Sequence, residues 1–219
     1  MKRTFRELLV RVIILLIGLT IAHLGVTLFL LADLGADPFN VLVQGIFRSI
    51  VSLTGVQALT HGYTHMGICF LIILVLLIVD RSYIKTGTIL CMICGGPIID
   101  VFTIVLNPLF MNMNSLAFKI LILAAGCVIL AFGMTIVIKS DAGTGPNDLV
   151  ALVISEKTGS AFGIVRIVVD VSFVAVGFLL GGAFGIGTLI CAGLVGPVAG
   201  FFLPRNEKWI NKVIQRLMN

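Results

Sequence analysis

Charged side chains are scarce in this sequence. Asp, Glu, Lys and Arg make up 11% of its 219 residues, against about 25% in a soluble globular domain. Too little charge is present to clothe a water-facing surface, which excludes an ordinary soluble fold. Catalytic signatures are missing as well: there is no nucleophile–base constellation, no phosphate-cradling P-loop and no H-E-x-x-H pattern. The chain therefore reads as a non-enzyme without a cofactor. Its cysteines form no framework, because Cys69, Cys91, Cys94, Cys127 and Cys191 all sit inside apolar runs, where a thiol packs as a small hydrophobe. Cys91 and Cys94 make a C-x-x-C, but no histidine, carboxylate or second pair accompanies it, and no metal site is expected. The basic start followed by an apolar stretch resembles a signal peptide, yet no small-x-small cleavage site follows, so Val12 to Leu31 reads as an uncleaved span.

What is present is hydrophobic length. Apolar residues make up 59% of the chain and the mean hydropathy is +1.18. Spans are expected near 10–32, 66–80, 86–106, 118–138, 160–180 and 184–204, each long enough for a bilayer core of about 30 Å. The segment 38–53 carries Gln44 and Arg48 and is short, which suits a re-entrant or interfacial helix. Lysines and arginines test this arrangement. With both termini inside, Lys2, Arg3, Arg6, Arg11, Arg81, Lys85, Lys139, Lys157, Arg205, Lys208, Lys212 and Arg216 lie on the cytoplasmic side and only Arg48 and Lys119 outside. That placement also accounts for the net charge of +5 without nucleic acid. After Pro204, residues 205–219 read as a basic amphipathic helix with Trp209 at headgroup depth.

The sequence repeats itself. An offset of 108 superposes Arg11 on Lys119, Gly18 on Gly126, Gly25 on Gly133, Thr27 on Thr135, Gly35 on Gly143 and Pro38 on Pro146. Further on the offset becomes 100, and Gly87, Thr88, Cys91, Gly96, Pro97 and Phe102 fall on Gly187, Thr188, Cys191, Gly196, Pro197 and Phe202. Each half holds a span, a G-x-x-P turn opening a short helix, and two more spans. Three is odd, so the second half enters the membrane inverted. The expected fold is an all-α integral membrane protein of six transmembrane helices in two inverted three-helix repeats. Each repeat has a short re-entrant or interfacial helix after its first span. The whole chain, 1–219, is one membrane domain, with repeat 1 at about 8–106 and repeat 2 at about 116–204.

The paired turns are the candidate binding site: Gly35, Asp37, Pro38 and Asn40 in the first half, and Gly143, Thr144, Gly145, Pro146, Asn147 and Asp148 in the second. Glycines at 35 and 143 suit positive φ, the prolines suit a first helical turn, and Asp37 can cap the helix that follows. Two helix N-termini aimed from opposite faces favour an anion or a carbonyl oxygen, although Asp148 at the third helical position can satisfy those donors itself. Arg166 and Asp170 are spaced to pair on the fifth span, and charges at that depth face a bundle interior or an aqueous cavity. Asp100, in the third span, is a candidate for carrying a proton or a cation. His23 reads as a hydrogen-bonded core histidine, and His61 and His65 fall in a loop, a weak metal signal.

These motifs carry a resemblance. Gly35-x-x-Pro38-x-Asn40, Thr60 with Gly62, Gly87-Thr88 through Asp100, Gly143 to Asp148, Thr158-Gly159 and Gly187-Thr188 are similar to the bacterial YczE/YyaS/YitT family of multi-pass membrane proteins, in its YczE-like branch. Phe39 stands where many relatives carry Trp, and Asn40 where an acid is common; Asp148 keeps the acid in the second turn. The resemblance implies a multi-pass protein of the bacterial plasma membrane. The expected function is secondary transport of an unidentified small solute by alternating access at the interface of the repeats. A non-transporting scaffold, or a substrate-binding subunit acting through a partner, is the alternative. Lipid surrounds the chain, and a homo-oligomer is compatible with its glycine-rich helices.

Overall fold

The apolar runs become helices whose ends are set by local chemistry. The structure, a computed structural model, describes residues 4–56, 58–110, 115–160 and 162–218. Helix α1 (Phe5–Ala32) begins at Thr4, whose hydroxyl accepts from the Glu7 amide, and ends at Asp33 in left-handed backbone. Asp37 caps α2 (Pro38–Thr54), and Gly55 ends it. Then come α3 (His61–Val79), a 3-10 turn at Arg81–Tyr83, α4 (Thr86–Phe110), α5 (Leu116–Ser140), α6 (Pro146–Thr158), α7 (Phe162–Leu179) and α8 (Ile186–Met218). Among the described residues there is no strand. Helices α1, α3, α4, α5 and α8 are long and apolar enough to cross a membrane. Helix α7 has 18 residues and contains Arg166 and Asp170. At 17 and 13 residues, α2 and α6 fall short of the roughly 20 a span needs.

Two elements depart from the sequence reading. His61 and His65 lie in α3, not in a loop, because Thr60 caps that helix and accepts from the Tyr63 amide at 3.0 Å. The break expected at Pro204 is absent, and α8 runs through to Met218. The apolar face of its last turns is not left for headgroups: Ile210 and Ile214 are buried against Ile14 and Ile136, and the Asn206 amide donates to Thr135 Oγ1 at 2.7 Å. Trp209 stays half exposed.

Helices α1 and α5 form the centre. A side chain at Gly18 would meet Ile136 and Val137, one at Gly25 would meet Gly126 and Leu130, and one at Gly133 would meet Gly18 and Ala22. The pairing numbers run in opposite senses, so α1 and α5 are antiparallel. Lipid tails are as apolar as leucine, so helices in a bilayer associate through close packing more than through hydrophobicity, and small residues permit that approach. Helix α4 lies against α1 and α8 against α5.

The short helices cross over. Phe39 meets Phe173 edge-on at 5.5 Å between centroids, Gly45 lies against Gly177, and the Ser49 hydroxyl donates to the Leu180 carbonyl at 2.9 Å. Helix α2 thus runs parallel to α7, a helix of the other half. Correspondingly, Leu149 and Val153 of α6 pack with Leu76 of α3, and Lys157 pairs with Asp80 at 3.7 Å, so α6 runs parallel to α3.

Charged groups collect at one end. Lys85 pairs with Asp141 at 3.1 Å and Lys139 with Glu207 at 2.7 Å, while Arg11 pairs with Glu7 and donates to the Ser140 carbonyl. In the α3–α4 connector, hydrogen bonds from Ser82 hold the Asp80 carboxyl below its usual range. The Tyr83 hydroxyl donates to Glu156, which pushes its pKa up to about 12. At the opposite end Arg48 donates to the Gly181 carbonyl at 2.9 Å. Lys2 and Arg3 lie outside the described residues.

Candidate functional site

Both turns have the same backbone. Asp33 and Asp141 are left-handed, with φ of 50° and 53°, and Gly35 and Gly143 follow at 115° and 150°. Each turn is held by the other half. The Gly187 amide donates to the Leu34 carbonyl at 2.7 Å, and the Gly87 amide donates to the Ala142 carbonyl at 3.0 Å. A side chain at Gly35 would collide with Thr188 Oγ1, and one at Gly143 with the Thr88 amide. The apolar surroundings correspond too. Leu15, Leu19, Cys91, Val137 and Ala142 form one buried cluster. Leu123, Cys127, Cys191 and Phe29 form another, with Leu34 packed on it.

The side chains at the two N-termini differ. Asp37 Oδ1 accepts from the Asn40 amide at 3.3 Å and Oδ2 from Asn40 Nδ2 at 2.8 Å, so this carboxylate caps α2 as its spacing suggests. Asn40 Oδ1 lies 3.0 Å from His61 Nε2. Pro38 and Pro146 each occupy the first turn of their helix. At α6 the N-cap is Gly145, which has no side chain to offer, and Thr144 beside it is half buried. Asn147 Nδ2 donates to Asp148 Oδ1 at 3.2 Å. Asp148 does not bend back to cap its helix; it receives Arg166 Nη1 at 2.7 Å.

Arg166 joins two helices. Its Nε donates to Asp170 Oδ2 at 3.0 Å, completing the i, i+4 pair on α7. Its Nη1 holds Asp148 on α6. Asp170 Oδ1 is buried without a partner, and Asp37 lies within electrostatic reach of both Asp170 and Arg166. Asp148 of the second turn and Asp170 of α7 therefore share one guanidinium, and Asp37 of the first turn acts on this pair only at longer electrostatic range. An uncompensated excess of negative charge is costly at membrane depth, so the arrangement suits a cationic group or a proton better than the anion that bare helix N-termini suggest.

Asp100 does not join them. Its Oδ2 accepts from Thr60 Oγ1 at 2.5 Å and its Oδ1 from the Gly62 amide at 3.0 Å, so it closes the N-terminus of α3. Sequence reasoning missed His61 as a partner of Asn40, and Gln44, whose Oε1 accepts from the Ala183 amide at 2.8 Å. The i, i+4 histidine spacing was the available signal, but only a helix at 61–65 gives it meaning. An apolar cleft of 440 Å³ between α3 and α6 is lined by Ile72, Leu76, Val153 and Ile154, with Lys157 also among its lining residues.

These features define a class: a helical membrane protein whose short helices each also contact a helix of the other half, with a charge cluster joining α6 and α7. The chain belongs to the Family of unknown function (DUF6198), whose model matches residues 9–204. It is 28% identical over 212 residues to the membrane protein YczE of Bacillus subtilis (strain 168), covering 96% of this chain and 94% of that protein. A protein of Haemophilus influenzae is 28% identical over 193 residues, covering 87% of this chain and 82% of its own. The YyaS protein of Bacillus subtilis is also 28% identical over 193 residues, covering 88% and 92%. The resemblance drawn from the glycine and proline motifs is thereby upheld. No solved structure matches this chain.

Proposed function

We propose that this protein is a secondary transporter of a small solute in the bacterial plasma membrane, working by alternating access between two inverted three-span repeats. The observation that carries the reading is Arg166, which holds Asp148 of the second turn while standing within electrostatic reach of Asp37 of the first. Antiparallel α1 and α5, together with the reciprocal Leu34–Gly187 and Ala142–Gly87 hydrogen bonds, support inverted repeats, as repeat transporters are built. In this reading α7 is the sixth span, α2 and α6 are re-entrant, and the gathered lysines and arginines put both termini in the cytoplasm. Each turn gates one face, and the solute binds where they converge.

The test begins with a thermal-shift screen of metabolites on the detergent-purified protein, since a ligand of the native state raises its apparent stability. The best stabiliser is then offered to proteoliposomes. Uptake by wild type and its loss in a folded Asp148→Asn variant are expected; undiminished uptake by that variant would discard the site.

One observation favours the second reading, a protein that acts through a partner or a second copy. Side chains at Gly193, Gly196 and Gly200 on α8 would meet nothing, whereas Gly96, the counterpart of Gly196, is packed on Gly62. A stoichiometric partner on purification, with no solute flux by the protein alone, would favour it.

A further inference from the structure

A second group of titratable side chains is buried where α1, α3 and α4 meet. His23 and His65 are 8% and 7% exposed, with rings edge-on at 5.6 Å between centroids. His23 Nδ1 lies 2.9 Å from the Leu19 carbonyl oxygen. A carbonyl only accepts, so Nδ1 carries the hydrogen, and Nε2 of the neutral ring presents a lone pair. His65 Nδ1 is buried without a partner, so no hydrogen bond at that atom fixes which of its two nitrogens carries the hydrogen. The two Nε2 atoms converge on Gly95, where a Cβ would stand 2.9 Å from His23 Nε2 and 3.3 Å from His65 Nε2. They are therefore within about 6 Å of each other, the reach of one bridging water.

The surroundings narrow the ligand. A transition metal takes three or four protein ligands or keeps an open position beside three, and no group of three His, Cys, Asp or Glu is placed to hold one among the described residues. A hydrogen ion needs only two acceptors. The groups facing the pair are Phe39 of α2, edge-on to His65 at 5.2 Å, His61 and Cys69 one turn either way on α3, and Gly95 of α4. His65 feels His23 and His61 electrostatically, and His61 feels Arg48. The route to the turns is short. His61 meets Asn40, Asn40 donates to Asp37, and Phe39, which packs on His65, adjoins Asn40.

We propose that His23 and His65 form a proton-binding site, holding one hydrogen ion between their Nε2 atoms, and that this proton is the ion coupled to solute binding at the turns. The hydrogen ion arrives from water, bonds to one Nε2 and faces the lone pair of the other across a gap that one water can bridge. It adds one positive charge beside the first turn and leaves to water when the pair releases it. Buried histidines in membrane spans commonly serve as proton relays. The proton site stands alone; its coupling to solute rests on the transport reading.

The full-length protein, labelled with 15N-histidine in lipid nanodiscs, is titrated by NMR from about pH 8 to pH 4, across the unperturbed imidazole value of about 6.5. The signals of His23 and His65 are expected to move together as the pair takes up one proton. His65→Gln should leave His23 neutral throughout, and Gly95→Ala, which puts a methyl between the nitrogens, should uncouple the rings. Rings that each take their own proton, or that both stay neutral to the end, overturn the site. Proteoliposomes offered the best thermal-shift ligand from outside separate the coupling. An imposed pH gradient should speed wild-type uptake several-fold and leave His65→Gln unchanged. Uptake indifferent to the gradient in both overturns the coupling while sparing the transporter, and a titrating pair in a protein without flux overturns the transporter while sparing the proton site.

Discussion

The Leu34 carbonyl accepts its hydrogen bond from Gly187 at 2.7 Å, which ties the end of the first span to the start of the last long helix. The corresponding carbonyl of the other half, Ala142, is served by Gly87. In each case a left-handed glycine next to the carbonyl brings the turn flat against the helix it binds. Neither turn can open without breaking a contact to the opposite half.

Gly35→Ala and Gly143→Ala should each destabilise the protein by about 1–3 kcal/mol, since the new methyl combines positive φ with a collision. Gly193→Ala, in open space, is the neutral control. Apparent unfolding temperatures in detergent decide this: equal tolerance at all three positions contradicts the turn geometry.

Arg166→Ala leaves Asp148 and Asp170 facing each other without a cation. Breaking a buried ion pair costs about 3–5 kcal/mol, and with Arg166 at 30% exposure solvent screening reduces this to about 1–3 kcal/mol. Asp148→Asn, which leaves the Asp170 partner in place, should lose less. Thermal melting of both variants ranks them, and the reverse order would contradict a shared guanidinium.

Asp100→Ala should cost about 1–2 kcal/mol through the lost cap of α3 and leave ligand-induced thermal shifts unchanged. A variant that keeps its stability but loses ligand response would return Asp100 to the binding site.

Tyr83 should ionise near pH 12, not near its ordinary value of about 10, because its hydroxyl donates to Glu156. A raised folded-state pKa means that the hydrogen bond contributes fully below about pH 10 and is lost as pH rises through about 12. Absorbance titration of wild type against Tyr83→Phe isolates this phenol. Glu156→Gln should bring it back down, and an unmoved curve would show that the bond is absent.

Ile210→Ala should cost about 2–4 kcal/mol as a core truncation, whereas Leu217→Ala, half exposed, should be nearly neutral. Unfolding temperatures measure both. Equal small effects would restore a tail lying on the membrane surface.

Much of the helical framework was legible in the sequence because bilayer thickness imposes its own length on apolar runs. The turns were legible because glycine and proline punctuate in one dimension. Asp37 could be recognised as a cap, since capping is a contact between residues three apart. The partner of Asp148 was not legible, because a carboxylate at the third helical position looks the same whether it caps or reaches 18 residues on to Arg166. Asp100 looked like an isolated intramembrane acid for the same reason: the Gly62 amide it serves is 38 residues away. The tail was misjudged because an amphipathic stripe fits a headgroup layer and the side of a helix equally well.

The crossing of the short helices sets an order of assembly. Arg48 on α2 donates to Gly181, 133 residues later in the chain. The first half therefore leaves the ribosome with α2 packed on α3, and its α7-facing side waits until most of the second half has been synthesised. Contacts so distant in sequence form slowly, and a nascent chain halted before α7 holds an incomplete bundle. Biogenesis of this protein is thus the joining of two unfinished pieces, each of which supplies the part the other lacks.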